Sequence, residues 1–448
     1  MSSKRKLVLA VIDGLTPSML EGAMADGSAP RLAELAAAGA YGRAISTFPS
    51  LTPVCLSSIA TGAHSDVHEI PHLVWWHRNE RRLVEYGSSF GAARAAGLTQ
   101  TLRDTLVGLN ADHLGRSAVT LFEALADAGL RTAAVNFTAY RGRTSHRSLL
   151  PWLGTVQGPE GFFLYNLFAS DRTGAPLSFR NRPAGSIDAY AVAVGRWLVT
   201  RDAFDFLLYY LSDYDYASHA SGPDTAVDVL TRCDAAVGAL LDAAGGMERF
   251  LERYAIVVLA DHGQTRVDRT ATLRDHFRHD DGILVTAANR AAQIYRLDAK
   301  APAVRTVAER LDAEPGAELV AFLEDGEAVA RRGGEELRIG HTGSEFEPFG
   351  DARIVDHPDG VARLWAALHC PNAGEVLVSA TEGWEFSDMA GRHHRGGGSH
   401  GSLVRGDSEV PMITVGLDRL PRSIVDVAPL VLAHFGVDVP AYALDRAA

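Results

Sequence analysis

Leu7-Val-Leu-Ala-Val-Ile12-Asp13-Gly14 is the stretch whose reading decides the fold. Six consecutive apolar residues are too few for a buried helix. They read as a strand covered on both faces, as in a parallel sheet. The segment before it, Met1-Ser-Ser-Lys-Arg-Lys6, is basic, but the apolar run stops at an acid without a small-residue cleavage site, so a first strand is expected here and not a secretion signal. The acid itself carries the second message. In open α/β sheets, ligands gather at the carboxyl ends of strands, which is where Asp13 stands.

The same pattern recurs downstream. Thr132-Ala-Ala-Val-Asn136 follows a helical stretch from Val119 to Ala128 closed by Gly129. Further buried strands are expected at Phe204–Leu211, Ala255–Ala260 and Pro411–Val415, before a closing helix from Ile424 to Phe435 stopped by Gly436. Strands alternating with helices imply a doubly wound, mostly parallel α/β sheet. Residues 1–270 and 391–448 are expected to form this core. Residues 271–390 break the rhythm and are expected to form a small inserted α/β cap. Residues 72–115, with Trp75, Trp76 and His77, form a second excursion. The tryptophan pair either packs that lobe or covers a ligand, packing being the commoner use of such a pair.

Bulk composition sets limits. The chain has 448 residues, 47% of them hydrophobic and 22% charged, with a formal net charge of -12. That acidity argues against a nucleic-acid partner, which needs clustered cations. It leaves room for a small phosphorylated substrate at a locally positive site. No apolar stretch reaches membrane-spanning length, and the three scattered cysteines, Cys55, Cys233 and Cys370, suit a reducing, cytoplasmic compartment. Oligomeric state is not legible.

The strand ends concentrate chemistry. Asp13 follows the first, Asp213 and Asp215 follow Leu211, and Asp261-His262-Gly263 follows Ala260. Any one acid is plausibly a turn or cap residue, but the set favours metal ligation. Asp215 and His219 are four apart, hence on one face of a helix beginning there. Late in the chain, His400 stands between Ser399 and Gly401, with His393 and His394 competing for its role. Thr47 to Gly62 is rich in hydroxyls. A threonine oxygen at a helix N-terminus beside a cation is a competent nucleophile, with backbone N–H groups at hand for phosphate.

These motifs, in this order and over nearly the whole chain, resemble the alkaline phosphatase superfamily, on its nucleotide pyrophosphatase/phosphodiesterase-like branch with phosphonoacetate hydrolase as a neighbour. The family's nucleophile precedes a Thr-Gly pair by nine residues, as Thr52 precedes Thr61-Gly62; Thr47, fourteen before, is the reserve. Cys55 lacks the Cys-x-Pro-x-Arg setting of the sulfatase branch. His68 reads as structural. The resemblance implies two divalent cations, Zn²⁺ by the number of histidines, with Mn²⁺ or Fe²⁺ also suited. One would take Asp215, His219 and His400. The other would take Asp13, Asp261, His262 and the Thr52 oxygen. The implied reaction is hydrolysis of a phosphoric ester through a phospho-threonine. The alternatives are a phosphomonoesterase, a phosphonoacetate-type C–P hydrolase, and a non-catalytic metal-binding protein. Arg141 and Arg143 either grip a second phosphate or carboxylate, or form a solvated basic turn.

Overall fold

The computed structural model describes residues 5–169, 186–342 and 345–444. Its central sheet has seven strands: β1 (Lys6–Ile12), β2 (Ala40–Ile45), β3 (Thr132–Val135), β4 (Gly161–Phe163), β5 (Phe206–Leu211), β6 (Tyr254–Leu259) and β7 (Glu409–Val415). Across the sheet they run β2-β7-β6-β1-β5-β3-β4. β1 pairs in parallel with both β6 and β5, and β3 in parallel with β5 and β4. β7 alone among these strands runs against its neighbours β6 and β2. The sheet is therefore mostly parallel and doubly wound. β1 from Leu7 to Ile12, with all of β5 and β6, is buried, as strands covered by helices on both faces must be. Short β2 and β4 escape the apolar-run signal; β2 lies at the sheet edge with only Ala44 buried.

Register aligns the strand ends. Ile12 lies beside Leu211, and Val11 beside Leu259. The residues that follow, Asp13, Asp213 and Asp261, thus emerge along one edge. The Asp13 N–H continues the ladder onto Leu211 O at 2.9 Å.

Two helices face that edge. α1 (Thr52–Thr61) is buried from Pro53 onward and ends on Gly62 at φ 70°. A side chain at Gly62 would meet Pro429 Cδ at 2.9 Å, so glycine there serves both the left-handed turn and close packing. α2 (Asp213–Ser221) springs directly from β5.

A second seven-stranded sheet is built from residues 283–350 and 376–380 and is antiparallel throughout. The helix Val304–Asp312 covers one face, where Val307 and Leu311 meet Val285, Ile294 and Val378. The helix Gly360–Leu368 covers the other, where Leu364 and Leu368 meet Leu319, Ala321 and Leu377. The tight turn Asn289-Arg290, with Asn289 at φ 57°, points this sheet at the core. There the Arg290 N–H donates to His400 O at 2.8 Å, and its guanidinium pairs with Asp407 at 2.8 Å, both side chains fully buried.

The excursion at 72–115 contains a hairpin, Val74–His77 with Arg82–Glu85, and a π-helical stretch, Asp104–His113. Trp75 is fully buried there, with ring centroids 5.4 Å from His77 and 5.3 Å from His113, so it packs the lobe. Among the described residues, no helix is long and apolar enough to cross a membrane.

Candidate active site and metal centre

Asp13, Asp215, Asp261, His262 and His400 come together, all buried, at the carboxyl ends of β1, β5 and β6. Among the described residues two groups have ligand-type atoms close enough to share a cation: Asp13 with Asp261 and His262, and Asp215 with His262 and His400. This differs in detail from the expected partition. His262 stands between both groups, its ring stacked on that of His400 at 3.6 Å and 9°. His219 adjoins the second group, its Nε2 3.4 Å from Asp215 Oδ2. The His262 ring reaches both groups, its Nε2 3.3 Å from Asp13 Oδ1 and its face on His400, whereas His219 sits one helical turn beyond Asp215 on α2.

The hydrogen bonds of the three imidazoles are oriented alike. Nδ1 of His219 meets Gly398 O at 2.8 Å, Nδ1 of His262 meets Gly263 O at 3.0 Å, and Nδ1 of His400 meets Ser50 O at 2.7 Å. A carbonyl can only accept, so each Nδ1 carries a proton, and in the neutral ring each Nε2 presents a lone pair. Those Nε2 atoms face carboxylates: His262 Nε2 is 3.3 Å from Asp13 Oδ1 and 3.6 Å from Asp261 Oδ2, and His400 Nε2 is 3.8 Å from Asp215 Oδ1. Lone pairs turned toward carboxylate oxygens describe a cation site seen from its donors.

Electrostatics agree. Asp13 Oδ1 and Asp261 Oδ2 are buried without a hydrogen-bond partner among the described residues. Burial, reinforced by Asp215, pushes the Asp13 carboxyl well above the usual carboxylate range, and burial with Asp13 does the same to Asp261. Burial, with His262 and His219 beside it, holds His400 well below the usual imidazole value. Burying like charges together is costly unless something of opposite charge compensates them. The donor set, carboxylates with neutral imidazoles, fits divalent cations of the zinc type.

Thr52 opens α1, but it does not cap it. The N-cap is Leu51, and Thr52 Oγ1 turns instead to His262 Nε2 at 3.2 Å. It is half-buried where Pro53 to Thr61 are buried, so it remains reachable. The cradle of N–H groups expected for phosphate is smaller than expected. Pro53 has none, and those of Val54 and Cys55 close on Leu51 O at 2.9 and 3.0 Å. The reserve, Thr47, is fully buried and holds His64 Nδ1 at 2.8 Å. Cys55 Sγ lies 3.3 Å from Ser46 Oγ, and burial pushes its thiol up. Asp213 accepts the Asp188 N–H at 3.3 Å rather than joining the cluster. His68 is fully buried with Nε2 3.2 Å from Ser58 Oγ, a packing role.

Arg141 and Arg143 are not brought to the cluster. Arg141 is buried, with Nε on Glu123 at 3.1 Å and its remaining donors on the carbonyls of Leu114, Gly115 and Ala118. Arg143 pairs with Glu123 at 2.9 Å and Asp127 at 2.8 Å. Glu123, on the helix Leu121–Asp127, engages both guanidiniums.

The structure adds residues that the reading missed. Gln264 Nε2 donates to Asp215 Oδ1 at 2.5 Å, Tyr210 donates to Asp13 Oδ2, and Asn289 Nδ2 lies 3.0 Å from His400 Nε2. Gln264 and Tyr210 adjoin the motifs and were findable. Asn289 comes from the second sheet, and no local pattern marks it.

The Type I phosphodiesterase / nucleotide pyrophosphatase family matches residues 7–403. Among solved structures, the chain is similar to phosphonoacetate hydrolase from Sinorhizobium meliloti in complex with phosphonoformate. The TM-score is 0.63 at 19% identity, over 95% of this chain and 96% of that one. It is also similar to murine ectonucleotide pyrophosphatase/phosphodiesterase 5, with TM-score 0.64 at 14% identity over 97% and 96%. An inactive form of the murine protein in complex with AMP gives 0.65 at the same identity and coverage. At these identities the likeness establishes the alkaline-phosphatase-like fold. No curated protein matches the chain significantly.

Proposed function

Since the chain belongs to the Type I phosphodiesterase / nucleotide pyrophosphatase family and is a phosphoester hydrolase, we propose that it cleaves a small phosphorylated substrate by in-line displacement from Thr52 at a centre for two divalent cations. One observation carries this reading: the Thr52 hydroxyl faces His262 Nε2 beside two buried carboxylate oxygens that have no hydrogen-bond partner among the described residues. Asp13, Asp261 and His262 would hold one cation next to Thr52. Asp215, His400 and the adjoining His219 would hold the other, with His262 between the two. Bound there, the cations make the threonine hydroxyl easier to deprotonate and offset charge on the phosphoryl oxygens.

The chain's own residues then have these tasks. Thr52 Oγ1 gives up its proton to water and forms a bond to phosphorus as the bond to the leaving oxygen breaks on the opposite side, that oxygen keeping the electron pair. Water attacks the resulting phospho-threonine, the phosphorus–Oγ1 bond breaks, and the hydroxyl is restored. The backbone bonds to His219, His262 and His400 keep each Nε2 aimed inward throughout. Gln264 and Tyr210 steady Asp215 and Asp13.

Hydrolysis of bis-p-nitrophenyl phosphate, compared with p-nitrophenyl phosphate and phosphonoacetate, tests the substrate class. Chelated protein is expected to be inactive and to recover with Zn²⁺ or Mn²⁺, with the diester turned over faster. Faster monoester turnover would make it a phosphatase, and phosphate release from phosphonoacetate alone a C–P hydrolase. Full activity after chelation would overturn the two-cation mechanism.

A further inference from the structure

Glu385 and His394 lie outside the ligand set. Glu385, 1% exposed, accepts three hydrogen bonds: from the His394 backbone N–H at 2.5 Å, from His394 Nδ1 at 2.7 Å and from Ser399 Oγ at 2.9 Å. With Nδ1 bound to that carboxylate, the His394 ring lies 4.2 Å from the ring of His219 at 32°. His219 in turn lies 5.1 Å from His400, and His400 3.6 Å from His262. Four imidazoles therefore form a row. Their side-chain exposures fall along it from 32% at His394 through 15% and 3% to 0% at His262. His394 caps the row at its solvent end.

The connecting loop is tight. Gly397 N–H donates to His394 O at 2.8 Å, and Gly398 O receives His219 Nδ1 at 2.8 Å. A side chain at Gly397 would stand 2.0 Å from His219 O, so this loop is pressed onto α2. Ser399, the third donor to Glu385, immediately precedes His400. One buried carboxylate thus grips both ends of a loop: the ring that covers His219 and the neighbour of His400. Among the described residues, the His219 ring is also held by Gly398 O at Nδ1, by Asp215 near Nε2 and by the His400 ring, and His394 covers its outer face.

We propose that Glu385 and His394 are positioning residues, holding His219 and His400 in register with Asp215 and so setting the affinity of the outer cation position. This rests on the two-cation reading above. Outer-shell partners of metal-binding histidines typically change metal affinity by roughly 10–100-fold when removed, and here the pair acts through the ring contact with His219 and the loop that carries Gly398 O.

The test is Zn²⁺ titration of metal-free protein against a competing chromophoric chelator, for wild type, His394→Ala and Glu385→Gln, together with thermal melting of each metal-free protein. Wild type is expected to take up two ions per chain. Each variant should bind one ion with wild-type affinity and the other roughly 10–100-fold more weakly, while its metal-free form still melts cooperatively. Glu385→Gln retains an acceptor for His394, so it serves should His394→Ala fail to fold. Two ions bound with wild-type affinity in both variants would overturn the proposal alone. Loss of both ions with a lowered melting temperature would make the pair a general structural element and overturn it too. A wild type that binds no zinc would bring down the two-cation reading, and the proposal with it.

Discussion

Asp13 and Asp261 each keep a buried oxygen without a hydrogen-bond partner among the described residues, while His219, His262 and His400 each turn Nε2 toward a carboxylate. These are the individual-residue facts on which the metal reading rests. The acids were legible in the sequence because a parallel sheet places the residue after each strand on one edge, so three strand ends were enough to locate them. The fate of Arg141 was not legible, because it depends on Glu123 and three carbonyls that folding brings round it. Gly14 offers a test at this scale. It sits at φ +69°, and a Cβ there would stand 2.8 Å from Gln264 Nε2 and 2.9 Å from Asp215 Oδ1. Gly14→Ala is expected to lose about 1–2 kcal/mol of stability from the left-handed backbone. By displacing Asp215 it should lose on the order of a hundred-fold in kcat/KM. Steady-state kinetics beside a melting curve measure both. Unchanged turnover would show that the Asp215 position is not critical.

At the scale of elements, the strands legible as apolar runs were those buried on both faces, while β2 hid because it lies on the edge and is largely exposed. A helix beginning at Thr52 was legible, though not that Leu51 would take the cap and free the Thr52 hydroxyl. The excursion at 72–115 gave no regular signal, yet it carries a pH response. Burial holds His72 down to about 4, and burial with Arg82 and His77 holds His113 down to about 3. Both lie below the ordinary imidazole value of about 6.5. The folded chain therefore binds these protons less readily than the unfolded one. Their contribution is fully present above pH 6.5 and is lost as pH falls through 6.5 toward 4 and 3. Hydrogen exchange in residues 72–115 is expected to quicken, after correction for intrinsic rates, as pH falls from about 6.5 to 4.5, and His72→Gln to flatten that dependence. A pH-independent protection pattern would contradict the assignment.

At the scale of the whole molecule, two sheets meet over one cluster. Their joint is Arg290, which joins the second sheet's first hairpin to Asp407, Ser402 and the His400 carbonyl. This joint was invisible in the sequence, since its partners lie more than a hundred residues apart. Arg290→Met leaves Asp407 buried without its ion-pair partner and is expected to destabilise the protein by about 3–5 kcal/mol. Urea unfolding would measure the loss, and a loss below about 1 kcal/mol would mean that the Arg290–Asp407 ion pair does not hold the sheets together.

The most direct test of the central claim is turnover of bis-p-nitrophenyl phosphate by wild type and Thr52→Ala, each chelated and then reloaded with Zn²⁺ while its metal content is measured. The expected result is equal metal content in both proteins, with turnover restored in wild type and absent in Thr52→Ala. Reloaded Thr52→Ala that matches wild type would contradict the claim that the Thr52 oxygen is the attacking atom.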